Sequence, residues 1–293
     1  MVRVFGTIFA GLLGLAFGSF LNVCLSRWPV DESIVSPRSH CRGCGRTLAW
    51  WENVPVVSWL ALRGRCRSCG AWISWRYPLV ELAVAAAWFL IAWRFLDFAL
   101  DLTATTLPFE LLRVIGRMIL CWLLIALAAF DAADLWLPDR LTWPGIAIGF
   151  LYSLILLPFL GTFALAHFGS NVYIQAAIAS LLGILAAAGL VLLIRWIYRL
   201  IRRREGIGLG DAKLMAMLAA WLGFQGALLS FAIGVVLGAI VALVVLLLPS
   251  TRKDHEGWAV TKLPLGTFLC VGGIVSSFWG EQMIDAYRRW AGF

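Results

Sequence analysis

The sequence predicts an all-α polytopic membrane protein with about eight transmembrane helices and a small cytoplasmic loop domain that binds zinc. Of its 293 residues, 62% are hydrophobic and only 14% are charged, a balance that excludes a soluble domain of this size. Apolar runs of about 20 residues recur from end to end, whereas a closed β-barrel would show short alternating segments. The net charge of +8 is therefore interpreted as a determinant of topology and not of nucleic-acid binding.

Eight apolar segments are the predicted spans. They lie near residues 4–26, 78–96, 112–130, 143–160, 173–194, 212–224, 226–248 and 264–281. Residues 1–26 contain one Arg and no good small-residue cleavage site, so we expect the first segment to be retained as a span and not removed as a signal peptide. The segment 212–224 is short, and a re-entrant or interfacial helix is the alternative there.

Arginine-rich loops set the predicted orientation. The loop from Arg27 to Arg76 carries eight Arg and three acids, so we expect it in the cytoplasm. The acidic loop 97–110 is then outside, 131–140 inside, 161–171 outside and the Arg195–Arg204 cluster inside. If 212–224 crosses, both termini are outside and the basic residues Arg252, Lys253 and Lys262 are inside; Arg288 and Arg289 argue against this arrangement.

Two cysteine pairs in the first loop form a metal-binding pattern. They are Cys41-x2-Cys44 and Cys66-x2-Cys69, with 21 residues between them, and each pair is followed by a Gly that lets the backbone turn. Four thiolates on two such turns describe a closed, structural Zn²⁺ site that would stabilise a loop too small for its own core. Two disulfides are the alternative, but a cytoplasmic loop keeps its thiols reduced.

Five of the 16 Trp residues also lie between residues 50 and 75 of this loop. They are Trp50, Trp51, Trp59, Trp72 and Trp75. They could form an apolar core for the loop or rest it on the bilayer.

The segment Gly208-Leu209-Gly210-Asp211 places an acid where a Gly-rich turn meets an apolar run. A carboxylate at the edge of hydrocarbon is costly, so an intramembrane acid is a functional hypothesis. An N-cap role for Asp211 is the structural alternative, although capping explains neither the glycines nor Lys213.

A second acidic segment follows the third apolar run. Asp131 ends a long apolar helix, where the macrodipole disfavours negative charge. We therefore favour a functional role for it, whereas Asp134 is interpreted as a solvated loop acid and Asp139, after Pro138, as a helix cap.

Asp131 and Asp211 are predicted to share one membrane face and could meet there. Two adjacent carboxylates hold one proton between them, so one can activate water while the other polarises a peptide carbonyl. A non-enzymatic ion-coupled carrier or scaffold, using the acids as a proton relay, is the alternative. A carrier should place its acids at mid-membrane within paired broken helices, so we favour the peptidase.

The whole set of motifs resembles one known family, the bacterial type IV prepilin peptidases. The matching segments are Gly18-Ser19-Phe20-Leu21-Asn22-Val23, the cysteine pairs, Trp51-Glu52-Asn53-Val54-Pro55, Arg76-Tyr77-Pro78-Leu79-Val80-Glu81-Leu82, Asp131 with Leu137-Pro138-Asp139, Gly208-Leu209-Gly210-Asp211-Ala212-Lys213-Leu214 and Leu263-Pro264-Leu265-Gly266.

The resemblance implies a GxGD-type aspartyl protease of the bacterial inner membrane, with an active site that faces the cytoplasm. Asp131 and Asp211 would be catalytic, supported by Gly208, Gly210, Lys213 and Asp139. Such enzymes cleave prepilins or pseudopilins of type IV pilus and type II secretion systems after a Gly, between a short basic leader and an apolar helix.

The family also N-methylates the new N-terminus with S-adenosylmethionine. Glu52, Gly64 and Arg65 are the candidate cofactor-binding residues, and a peptidase without this second activity is the alternative. The predicted domains are the first span (1–26), the zinc-binding loop (27–77) and the membrane peptidase core (78–293).

Overall fold

A computed structural model describes residues 2–100, 107–156, 172–203, 208–247 and 263–292. Within these ranges the chain is helical, and its β-structure is limited to two isolated bridges. The helices are α1 (Val2–Arg27), α2 (Val57–Ala61), α3 (Arg76–Leu100), α4 (Leu107–Asp134), α5 (Asp139–Leu156), α6 (Val172–Arg202), α7 (Leu209–Leu247) and α8 (Leu265–Ala291).

The predicted all-α membrane fold is confirmed. Every predicted span overlaps a helix, and α1, α3, α4, α6 and α7 each contain a stretch long and apolar enough to cross a bilayer. The total of eight crossings stays a prediction. Of the loops used to orient the chain, residues 101–106, 161–171, Arg204, Arg252, Lys253 and Lys262 lie outside the described residues.

Helix α7 consists of two helical segments that meet at a kink, close to the boundary between two of the predicted spans. Segments 212–224 and 226–248 both belong to α7, which departs from helical geometry at Gly223, where φ is 71° and ψ is 172°. A residue with a Cβ rarely adopts this φ, so glycine permits the break. Before the break, residues from Asp211 to Trp221 are buried, apart from Lys213. Helices that are apolar all round are typical of protein interiors.

The chain divides into two compact units, Met1–Ala126 and Leu127–Phe293. In the first, α1 packs along α3, and the cysteine loop connects the two helices. In the second, α7 is the central helix and packs against α5, α6 and α8. The domain boundaries expected from the sequence, at residues 26 and 77, stay predictions.

Candidate functional site

Asp131 lies in the last turn of α4 and is 6% exposed. Its Oδ2 atom accepts a hydrogen bond from the Thr267 backbone N–H at 2.6 Å. The Thr267 hydroxyl lies 3.1 Å from the same oxygen and 3.2 Å from the Ala128 carbonyl oxygen, so its single proton is shared between two acceptors. Both groups of Thr267 therefore face this carboxylate.

The first turn of α8 explains how an acid is tolerated at the end of α4. Thr267 is in the first turn of α8, after Pro264, where backbone N–H groups have no partner within their own helix. The positive end of the α8 macrodipole thus offsets the negative end of α4. Thr267 was not predicted as a site residue. The signal for it in the sequence is Pro264-Leu265-Gly266-Thr267 at a predicted helix start.

Asp211 is the third residue of α7 and is 8% exposed. Its Oδ2 atom accepts a hydrogen bond from the Gly208 N–H at 3.1 Å. Gly208 thus occupies the position that precedes the helix, and Asp211 bonds back to it as the third residue of a capping box does. The N-cap alternative for Asp211 is therefore wrong.

Leu137 links the surroundings of the two acids within the second unit. A Cβ atom built on Gly210 would lie 3.1 Å from Leu137 Cδ1, and one on Gly266 would lie 3.2 Å from the same atom and 2.9 Å from Asp131 Oδ2. Gly210, which precedes Asp211, and Gly266, which lies against Asp131, thus both pack on one leucine.

Asp139 and Lys213 form an ion pair between the first turns of α5 and α7. Lys213 Nζ lies 2.5 Å from Asp139 Oδ1 and 5.8 Å from the centroid of the Trp143 ring. The Asp139 side chain is 59% exposed, and exposed ion pairs contribute roughly 0–1 kcal/mol. The pair therefore aligns two helix starts near Asp211 more than it stabilises the fold. Asp134 is exposed, as expected for a solvated acid.

The four predicted metal ligands form one cluster in the first unit. The Sγ atoms of Cys41, Cys44, Cys66 and Cys69 lie within 4.8 Å of one another, and Cys41 Sγ is 3.7 Å from Cys69 Sγ. Tetrahedral Zn²⁺ with Zn–S bonds of about 2.3 Å separates its sulfurs by about 3.8 Å. These cysteines are free thiols, so the disulfide alternative is wrong. The cluster fits one tetrahedral ion.

The two cysteine turns are built alike. Cys41 N–H donates to Arg46 O at 2.9 Å, and Cys66 N–H donates to Ala71 O at 2.8 Å. In the second turn, the backbone N–H groups of Cys69 and Ser68 lower the pKa of the Cys66 thiol to about 6. These donors favour the thiolate, the form that binds metal. Cys66 titrates together with its neighbours, since the Ala71 N–H is outweighed by burial and by the sulfurs of Cys66, Cys44 and Cys41, which raise the pKa of Cys69 to about 11.

Two of the three cofactor candidates make contacts that fold the loop. Glu52, 6% exposed, accepts hydrogen bonds from Ala49 N–H at 2.8 Å and from the Arg46 guanidinium at 2.5 Å. Both donors lower the pKa of the Glu52 carboxyl, the Ala49 N–H most. Gly64 has φ of 65°, and a Cβ there would lie 2.9 Å from the Trp59 ring. Arg65 is exposed.

A buried carboxylate joins three of the sequence motifs in the first unit. Glu81, on α3, is 6% exposed. Its Oε2 accepts the Val56 N–H at 2.7 Å, and its Oε1 lies 3.4 Å from Asn22 Nδ2, which also donates to Tyr77 O at 2.9 Å. Glu81 thus fixes the start of α2 against α1 and α3. The sequence alone does not predict this junction, because its members are far apart along the chain.

The chain matches two known families over most of its length. Residues 12–95 match the Bacterial Peptidase A24 N-terminal domain, and residues 118–243 match the Type IV leader peptidase family. Both Asp131 and Asp211 fall in the second match, and the four cysteines fall in the first.

Several curated relatives are similar to the chain almost end to end. A prepilin leader peptidase/N-methyltransferase of Pseudomonas aeruginosa is 33% identical, over 96% of this chain and 93% of the relative. Relatives with the same name from Burkholderia pseudomallei and Aeromonas hydrophila are 36% and 32% identical, over 93% and 95% of this chain and 85% and 91% of theirs. No solved structure matches the chain.

Proposed function

The chain belongs to the type IV leader peptidase family, and we propose that it is an aspartyl endopeptidase of the bacterial inner membrane. It cleaves the leader from prepilins or pseudopilins after a Gly, at the cytoplasmic face. The observation that supports this proposal most is that two buried carboxylates, Asp131 and Asp211, both lie close to residues that pack against the Leu137 side chain. Soluble aspartic proteases work with two carboxylates that share one proton.

The hydrogen bonds support different roles for the two acids. Asp131 Oδ2 faces two donor groups of Thr267, one of them at the positive end of α8, and such donors favour a charged carboxylate. Asp211 Oδ2 accepts a single longer bond from Gly208. In our proposal Asp131 carries the negative charge of the resting pair, and Asp211 carries the proton.

Peptide cleavage then follows with a balanced set of proton transfers. Water attacks the scissile carbonyl carbon while its proton passes to Asp131, and Asp211 donates its proton to the carbonyl oxygen. The tetrahedral intermediate collapses when Asp131 returns a proton to the leaving nitrogen and Asp211 recovers its own. The pair ends in its starting state without a metal or covalent intermediate.

We also propose that the protein N-methylates the new N-terminal residue, as the names of its relatives state for them. S-adenosylmethionine would supply the methyl group. The Glu52 oxygens are both engaged by donors of the loop, and Gly64 packs on Trp59. We therefore expect these two residues to maintain the loop fold and not to contact the cofactor; Arg65, the third candidate, is exposed.

One assay tests the proposal. Purified protein is incubated with a prepilin and isotopically labelled S-adenosylmethionine, and the mass of the product N-terminus is measured. We expect a leaderless pilin that carries one labelled methyl group. Asp131→Asn and Asp211→Asn should each lower cleavage by at least about a thousandfold, since each removes one half of the acid–base pair. Full cleavage by either variant would exclude the pairing.

A further inference from the structure

We propose that one face of the cysteine loop, residues 57–75, lies on the anionic headgroups of the bilayer that holds α1 and α3. This face is defined by Trp72 and Trp75, whose rings both contact Trp59, and by Arg65, which pairs with Trp72. Val57, Leu60, Arg63 and Arg67 of the same segment are also exposed. The proposal concerns lipid recognition and does not depend on the peptidase mechanism.

Large apolar side chains are exposed along this face. Val57 and Leu60, one turn apart on α2, are 60% and 62% exposed, and Trp72 and Trp75 are 64% and 56% exposed. The Trp59 ring lies between the two tryptophans, with its centroid 6.5 Å from that of Trp72 and 6.0 Å from that of Trp75. Trp72 and Trp75, joined through Trp59, form one exposed aromatic patch, and such a patch marks an interaction site.

The charges of the same segment select the partner. Residues 57–75 contain three Arg and no acid, and all three Arg are exposed. Arg65 is paired directly with Trp72 in an antiparallel bridge, so a cation stands beside an aromatic ring on one surface. Trp and Arg together are typical of the headgroup region, where the ring enters the interface and the guanidinium binds phosphate.

A chain connection and three hydrogen bonds hold this segment close to the ends of α1 and α3. Trp75 is followed at once by the first residue of α3. The start of α2 is fixed by the bond from Val56 N–H to Glu81 Oε2, within α3. Arg42 and Arg76 donate to the last carbonyls of α1, at Ser26 and Leu25. The segment therefore cannot swing away from the membrane surface without breaking these bonds.

A prepilin leader is the competing occupant, since it also approaches from the membrane face. The leaders expected from the family resemblance are basic, and Arg63, Arg65 and Arg67 would repel them. An anionic lipid surface attracts the same residues. The charge balance thus favours lipid.

Residue-resolved oxidation of the full chain tests the proposal. The protein is placed in nanodiscs of phosphatidylcholine alone or with phosphatidylglycerol, exposed to hydroxyl radicals, and oxidation of Trp72 and Trp75 is measured by mass spectrometry. We expect several-fold slower oxidation of both rings in the anionic discs. High salt should remove the difference because it screens the headgroup charge.

The triple variant Arg63→Gln/Arg65→Gln/Arg67→Gln should lose the lipid dependence, whereas Arg199→Gln, a matched change at an exposed residue of α6, should keep it. Bound zinc, measured in each variant, checks that the loop is intact. Equal oxidation rates in the two disc types overturn the proposal: fast rates would mean that the rings face water, and slow rates that protein covers them. Protection only when a prepilin is added would assign the face to the substrate.

Discussion

The proposal that Asp131 is charged and Asp211 is protonated depends on Thr267. Its N–H comes from the backbone and survives any substitution except proline, whereas its hydroxyl can be removed alone. The hydroxyl lies 3.1 Å from Asp131 Oδ2, close enough to bond whenever Asp131 is charged. Side-chain changes at this position therefore separate the two donors.

Thr267→Val should lower kcat about tenfold and leave KM nearly unchanged, because a lost hydrogen bond to a charged group costs about 1.5 kcal/mol. Thr267→Ser keeps the hydroxyl and should retain most of the activity. Steady-state cleavage of a prepilin by the purified variants measures both constants. Equal losses in the Val and Ser variants would show that the methyl group matters and not the hydroxyl.

Glu52 gives a prediction about pH. Its folded-state pKa lies below the usual value of 4.5, so the unfolded chain binds its proton more readily than the folded chain does. The stability from its bonds to Ala49 and Arg46 is therefore complete above that value and is lost as pH falls through the folded-state pKa. Glu52→Gln should lower the Tm at neutral pH, and the difference from the wild type should vanish in acid. A difference that grows in acid would contradict this assignment.

At the scale of elements, helix ends carry the proposed chemistry. Asp131 closes α4, Asp211 and Lys213 open α7, Asp139 opens α5, and Thr267 opens α8. Each end supplies unpaired backbone groups and a partial charge that the middle of a helix lacks. The buried first part of α7, before Gly223, positions Asp211 among them.

The cysteine loop is the element that should depend on metal. Chelation, or Cys44→Ser, should unfold residues 28–75 and expose them to protease, since structural Zn²⁺ binding supplies roughly 10 kcal/mol or more of folding free energy. Metal content and limited proteolysis measure the effect. Cys24→Ala, at a buried cysteine of α1 outside the cluster, should keep both the metal and the protease resistance. A metal-free protein with an intact loop would exclude the zinc site.

For the whole molecule, the features that the sequence predicted are those formed by residues close together along the chain. The four-cysteine cluster was predictable because each turn brings two ligands together locally, and the spans were predictable from their apolar runs. Thr267 was not, because its bond to Asp131 joins residues 136 positions apart. The boundary between the predicted spans 212–224 and 226–248 lies within two residues of the break at Gly223, where one helical segment of α7 ends and the next begins.

The division into two units gives a prediction about the two activities. The zinc loop lies in the first unit, and both acids lie in the second. Asp131→Asn should therefore abolish cleavage and still allow methylation of a pilin whose leader has already been removed. Transfer of labelled methyl groups to such a pilin measures this directly. Loss of both activities in a correctly folded variant would mean that one site performs both.

The order of the chain has a consequence for biosynthesis. The donors to Asp131 are on α8, which the ribosome makes after both acids. An unfinished chain can thus insert Asp131 and Asp211 into the membrane while Asp131 still lacks its Thr267 donors. We therefore expect the proposed peptidase to be inactive until α8 has been synthesised and has packed against Asp131.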